Sequence, residues 1–160
     1  ASIKHLSLQI DAGVDAVKIF DTWAGVLSPE EFKRWVIEPS CKICHELRRR
    51  YPDVKIIGFP KGVGVGYVDY ARKVDVDAVA IDTSVSPAWA AEYLQNEVTV
   101  QGNLDPIVLI QGGSQMIEQA RNIRKNLQNG PFIFNLGHGV LPSTPVENLV
   151  KLAKYLKTSP

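Results

Sequence analysis

Apolar positions in this chain follow two alternating rhythms. Short unbroken apolar runs are separated by longer stretches in which apolar residues recur every third or fourth position. The first rhythm suits strands buried on both faces, the second amphipathic helices. Residues 2–12 place Ile3, Leu6 and Ile10 on one helical face and stop at Gly13. Residues 16–20 form the first predicted strand, and Ser28-Pro29-Glu30-Glu31 then announces a helix: Ser28 caps, Pro29 suits the first turn and Glu31 closes a capping box. Phe32, Trp35 and Val36 give that helix its buried stripe, and Pro39 is expected to break or kink it before a second piece over residues 40–50. A second strand is predicted over 54–59, a helix over 67–74, a third strand over 77–81 and a short helix from Ser86-Pro87, with Trp89 and Tyr93 packing. A fourth strand over 98–101 should end in a polar turn at 102–106, followed by one or two helical turns over 106–110. Gly112-Gly113 reads as a break, and Ser114 as the cap of a helix running to Gln128 on Met116, Ile117, Ala120, Ile123 and Leu127. The fifth strand is 132–134. Thr144-Pro145-Val146-Glu147, a second capping box, opens a last helix with Val146, Leu149, Val150, Ala153 and Leu156 inward.

Strand and helix therefore alternate five times after an initial helix, which implies an α/β fold with a parallel sheet covered by helices. The strands hold few polar residues, but polar residues gather just past each one: Asp21 and Thr22, Lys61, Asp82 and Thr83, Asn103 and Asp105, Asn135 and His138. Ligands of α/β folds bind at the carboxyl edge of the sheet, and this distribution fits that rule. Periodicity leaves two architectures open: a complete flavodoxin-like sheet, or part of a (βα)8 barrel whose whole length is commonly about 250 residues.

His138 stands between Gly137 and Gly139, just past a buried strand. Flanking glycines allow the backbone to come close to a ligand; a tight turn carrying an incidental surface histidine explains the same residues equally well. Gly62-Val63-Gly64-Val65-Gly66 follows a strand, as an anion cradle would, but lacks both the dinucleotide and the P-loop spacing and reads as a turn. Cys41-x-x-Cys44 has the spacing of a redox or zinc motif. It lies within a helical pattern with no second pair, so it reads as two reduced thiols of a cytoplasmic protein.

The 160 residues suffice for one domain with a core. Lys+Arg 18 against Asp+Glu 17 leaves +1, which gives no electrostatic case for nucleic acid or an anionic membrane. Arg48-Arg49-Arg50 falls where a helix should end, a placement its dipole favours. No apolar run approaches the ~18 residues of a bilayer span, and no signal-peptide pattern is present. The chain opens at Ala1 inside an amphipathic segment, which reads as a cut within a longer protein.

Three segments, Phe20-Asp21-Thr22-Trp23-Ala24-Gly25, Gln101-Gly102-Asn103-Leu104-Asp105-Pro106 and Asn135-Leu136-Gly137-His138-Gly139, resemble in order and spacing three signatures of the uroporphyrinogen decarboxylase family. The resemblance spans residues 1–160, which would be the C-terminal five βα units of a (βα)8 (TIM) barrel, and it decides the fold question that periodicity leaves open. It implies a cytoplasmic homodimer that uses no metal or organic cofactor. The implied reaction removes the four acetate carboxyl groups of uroporphyrinogen, a tetrapyrrole, to give coproporphyrinogen for haem synthesis. It puts Thr22 at a Ser/Thr position, His138 at the family's histidine and Phe20 at an aromatic position beside the cleft, all as substrate-binding residues. Asp21 falls where glutamate is also accepted, and no residue is assigned as the catalytic acid. The family's arginine-rich signature, its pyrrole-binding aspartate and its cleft tyrosine have no counterpart in these residues, so the chain alone is expected to be inactive. Asn103 and Asp105 are expected to fix the turn at 102–106, Lys61 to meet either solvent or a propionate, and Trp35 and Trp89 to pack helices. Two other readings stay in view. A cobamide-dependent methyltransferase of the same superfamily would need zinc held by His and Cys. A flavodoxin-like binding module would be a monomer with buried sheet edges.

Overall fold

The computed structural model describes residues 1–158. The elements are α1 (Ser2–Asp11), β1 (Ala16–Asp21), α2 (Pro29–Phe32), a π-helical segment (Lys33–Ile37), α3 (Glu38–Arg50), β2 (Lys55–Pro60), α4 (Gly66–Lys73), β3 (Ala78–Ala80), α5 (Pro87–Tyr93), β4 (Thr99–Leu104), α6 (Pro106–Gln111), α7 (Gly113–Leu127), β5 (Phe132–Leu136) and α8 (Val146–Thr158). All four strand pairings are parallel, and the spatial order is β1-β2-β3-β4-β5. Sequential order is that of a barrel; doubly wound sheets reverse direction at a switch point. The flavodoxin-like arrangement is thereby excluded.

The sheet is curled. Lys18 on β1 donates to Gln101 Oε1 on β4 at 2.7 Å, reaching over β2 and β3. Strands lie ~4.8 Å apart, so in a flat sheet these backbones would be separated by about 14 Å with both side chains upright. Only an arc lets the two ends meet. Helices cover the convex face, where Val17, Ile56, Val79 and Val100 are buried against residues such as Leu47, Tyr67, Tyr70 and Ile123. The concave face is open at its flanks, where Phe20 remains 66% and Ile133 41% exposed, and closed at its centre, where Phe59, Ala78, Ala80 and Gln101 are buried. The fold is five βα units of a partial (βα)8 barrel.

Several local expectations are corrected. Pro39 does not break its helix. The turn before it widens to a π-helical segment, in which the Glu38 N–H bonds the Lys33 carbonyl, and the helical run continues from α2 into α3. An extra residue in the turn accommodates the ring and the missing donor without a kink at the proline. Ser28 does cap α2, accepting from the Glu31 N–H at 3.4 Å, but the Glu31 carboxylate takes the Trp35 indole N–H instead of closing the box. Trp35 is therefore exposed at 58%, with Arg34 over its ring, and not part of the buried stripe. Trp89 packs on the core and against Tyr93 at 5.7 Å. Strand β4 runs on through the segment expected to be a turn, because Gly102 to Leu104 pair with Phe134 to Leu136. Gly112, not Ser114, stands at the start of α7, with no side-chain cap. The Thr144 hydroxyl accepts from the Leu141 N–H, so the second capping box is not formed either. In α8 the inward face is rotated from the expected one: Asn148 and Leu152 are buried, whereas Val146, Val150 and Ala153 face outward. Asn148 makes this arrangement sound by donating to the Leu109 and Ile110 carbonyls at the end of α6.

Candidate functional site at the carboxyl edge

A cavity of about 480 Å³ opens at the carboxyl edge of the sheet, and four βα connections line it. Lys61 and Gly62 come from the segment after β2, and Asp82, Thr83 and Ser84 from that after β3. Pro106 and Ile107 open α6, and Gly137, His138 and Leu141 follow β5. Their convergence follows from topology: parallel strands in sequential order bring every strand end to one rim.

The backbone is drawn together by a few specific contacts. Gly137 donates its N–H to the Leu104 carbonyl at 2.8 Å, and a Cβ there would stand 3.0 Å from Thr83 Cγ2 and 3.1 Å from the Thr83 nitrogen. A side chain before His138 would thus crowd the neighbouring strand end, which a glycine avoids. Gly139 meets no such constraint. Gly25 lies against Gly62 so tightly that a Cβ would strike that residue's backbone, and its N–H donates to the Lys61 carbonyl at 2.9 Å. The Lys61 N–H in turn donates to the Asp21 carbonyl at 2.9 Å. The turn after β1 is in this way fastened to the cavity wall.

Asp82 is the main tie. Its side chain accepts from the Gly62 N–H, from the Tyr67 hydroxyl at 3.0 Å and from the Ser84 N–H at 2.7 Å. Burial, followed by the neighbouring Asp82 charge, pushes the Tyr67 phenol far above its usual range, so it stays a donor. The Asp82 carboxylate is consumed by these bonds. The groups left to face a ligand are the Lys61 ammonium, the His138 imidazole and the hydroxyls of Thr83 and Ser84. Among the described residues His138 is exposed and its ring has no hydrogen-bond partner. A cation, an imidazole and neutral donors in one cavity suit an anionic, oxygen-rich ligand.

His138 and Lys61 line this cavity, as do Asp82 and Thr83. Thr22 and Phe20 do not. Thr22 is exposed in the turn after β1, and Phe20 lies on the concave face, edge-on to Phe59 at 6.0 Å. Asn103 has a different task from the one expected: its amide donates to the Asp82 carbonyl at 2.8 Å and the Val85 carbonyl at 2.9 Å, pinning the β3–α5 connection. Asp105 does serve locally, accepting from the Ile107 N–H at 2.8 Å as the cap of α6. Ser84 and Ile107 were not singled out by sequence reasoning; the one signal available was an apolar Ile107 at a helix start, which stands 53% exposed. The cysteines are remote from the cavity. Cys41 Sγ donates to the Lys73 carbonyl at 3.2 Å, and burial pushes the Cys44 thiol up to about 12. No cluster of three or more His, Cys, Asp or Glu with metal-binding geometry occurs among the described residues, and no helix there is long and apolar enough to cross a membrane.

Comparison with known proteins gives a consistent picture. The sequence model of the uroporphyrinogen decarboxylase family (URO-D) matches residues 1–159. The uroporphyrinogen decarboxylase of Rhodospirillum rubrum is 52% identical over 157 residues, which is 98% of this chain and 45% of that protein. That of Rhodobacter capsulatus is 44% identical over 158 residues, 98% of this chain and 46% of the relative. The chain thus spans about half the length of the curated relatives it matches. Among solved structures, a methyltransferase from Methanosarcina mazei superposes with a TM-score of 0.77 at 19% identity, covering 98% of this chain and 45% of that one. At that identity the likeness speaks for the fold alone.

Proposed function

The chain belongs to the uroporphyrinogen decarboxylase family, and from that premise we propose that it is the C-terminal five βα units of an enzyme that removes the acetate carboxyl groups of uroporphyrinogen. The observation that carries the proposal is the 52% identity to the R. rubrum decarboxylase across 98% of the chain. The cavity chemistry supports it, since the substrate is a polycarboxylate with acetate and propionate side chains. In the reaction a proton adds to the pyrrole ring, the bond from methylene to carboxylate breaks, and carbon dioxide leaves. The electron pair passes into the protonated ring; protonation of the methylene and loss of the ring proton leave a methyl group. The protein must hold one carboxylate in place while pairing the others.

In this reading His138 donates to a substrate carboxylate or relays a proton, an imidazole having a ring nitrogen suited to either task. Lys61 pairs with a propionate, Thr22 donates a neutral hydrogen bond from the neighbouring turn, and Phe20 forms an apolar wall. A hydrogen bond to a charged group contributes roughly 1.5–3 kcal/mol. In the complete enzyme, His138→Asn is therefore expected to lower kcat by about 10–100-fold. A loss beyond about a millionfold in steady-state assays would instead make His138 the essential acid. The 160-residue segment supplies one wall of the cleft and, in this proposal, no complete active site. The enzyme is proposed to be cytoplasmic and to work as a homo-oligomer, on the strength of the family resemblance.

A further inference from the structure

The concave face holds a second cation, which the reading above leaves without a task. Lys18 belongs to β1, one inward-facing position below Phe20. Strand pairing aligns Phe20 with Phe59, Ala80 with Gln101, and Gln101 with Ile133. The Lys18 ammonium rises toward that upper level. Its Nζ lies 4.9 Å from the ring centroids of both Phe20 and Phe59, and it donates to Gln101 Oε1 at 2.7 Å. The side chain is therefore fixed in place, and it leans toward the edge at which His138 stands.

An ammonium has three N–H donors, and the neutral amide of Gln101 takes one. The two aromatic faces attract the charge but do not neutralise it. Partial burial lowers the lysine's pKa, the mark of a cation short of solvation. Among the described residues no carboxylate forms an ion pair with it. Of the neighbours that share its face, Ile57, Ala78 and Ala80 are apolar and Thr99 is uncharged. A desolvated cation is ordinarily matched by an anion, and among the described residues none is paired with Lys18.

We propose that Lys18 is a carboxylate-binding residue on the floor of the cleft, held by Phe20, Phe59 and Gln101 to receive one carboxylate of the substrate. The inference rests on the decarboxylase reading for the identity of the ligand. The alternative source of a carboxylate is an Asp or Glu from another segment of a complete barrel. The substrate is favoured because the ammonium is lifted toward the carboxyl edge, where ligands of this fold enter, and because the adjacent Phe20 ring is 66% exposed.

The test compares Lys18→Met, which keeps length and removes charge, with Lys18→Arg in the complete enzyme. Lys18→Met is expected to raise KM for uroporphyrinogen about tenfold, the size of one charge-assisted hydrogen bond, with kcat within about threefold and Tm within about 2 °C. Lys18→Arg should recover most of that KM. An unchanged KM overturns the proposal, and an unchanged KM with a clearly lowered Tm assigns Lys18 to a carboxylate of the protein. Calorimetric titration with benzenehexacarboxylate provides an arm independent of turnover. Binding weakened about tenfold by Lys18→Met supports the role, whereas equal binding, or none by the wild type, overturns it. If the wild type binds this probe but does not turn over uroporphyrinogen, the decarboxylase reading fails while Lys18 as a carboxylate site stands.

Discussion

Asp82 shows how one buried side chain organises the rim. It is 4% exposed and accepts from three donors, one on the β2–α4 connection, one on α4 and one on its own β3–α5 connection, so its replacement strands several groups at once. Asp82→Ala leaves the Gly62 and Ser84 N–H groups and the Tyr67 hydroxyl without their acceptor, and buried unpaired donors cost about 1–3 kcal/mol each. Partial rehydration at the rim offsets some of this, so a loss of about 3–4 kcal/mol is expected on chemical denaturation. Tyr67→Phe removes a single bond and should cost only about 1 kcal/mol. Equal losses for the two variants would mean that the phenol, not the carboxylate, holds the rim. The sequence marked Asp82-Thr83 as a polar strand end, which was enough to place it at the rim. Its partners were not legible, because Gly62 and Tyr67 lie about twenty and fifteen positions away and meet it only across the sheet. Asn103 was misread for the same reason: local chemistry favours an Asn in its own turn, and only the pairing of β4 with β5 sends its amide to the β3–α5 connection.

Among the elements, the end of α3 is secured to the sheet by Asp77. Its carboxylate accepts from the Ile56 N–H at 2.8 Å, from Arg48 at 2.7 Å and from Lys55 at 3.3 Å, while Arg48 also donates to the Val54 carbonyl. Burial by itself would raise the Asp77 pKa, but the Ile56 N–H, Arg48 and Lys55 outweigh it and hold the carboxyl below its ordinary range. A carboxyl depressed in the folded state contributes stability that is fully present above the unfolded pKa, ~3.9, and is lost as pH falls through the folded value. Thermal midpoints measured between about pH 6 and 2 should therefore fall more steeply in the wild type than in Asp77→Asn below about pH 4. Parallel curves would remove Asp77 from the acid sensitivity. The arginine run was legible as a helix end, since cations favour that terminus; the identity of the tether was not. Helix α8 was located by its periodicity, but its inward face was not. Val146, Val150 and Ala153 fit an apolar stripe as well as Leu152 does, and the choice was made by Asn148, a polar residue that a hydrophobicity pattern counts against burial.

In the whole molecule, the sheet order and its curvature decide what remains uncovered. Periodicity established a parallel α/β sheet but not its order, because a strand's neighbours are a non-local property; the resemblance in three short segments pointed to the barrel, and the sequential order of five strands bears it out. An arc of this kind has two unfinished edges. Strands β1 and β5 each pair on one side only, leaving backbone donors and acceptors along Ala16–Asp21 and Phe132–Leu136 without a strand partner. Phe20 and Ile133 add apolar surface on the concave face, and Val146 and Val150, 67% and 61% exposed, add more on α8. Unpaired edges beside apolar surface are templates for association. The net charge of +1 provides little repulsion against it. The isolated 160-residue chain is accordingly expected to self-associate, with a weight-average mass in sedimentation velocity that rises between about 5 and 100 µM. Ile133→Lys places a charge on the concave face beside one open edge and should shift that rise to higher concentration. A wild-type chain that remains a monomer at the top of this range would show that its edges are protected, which a curled sheet open on both sides does not allow.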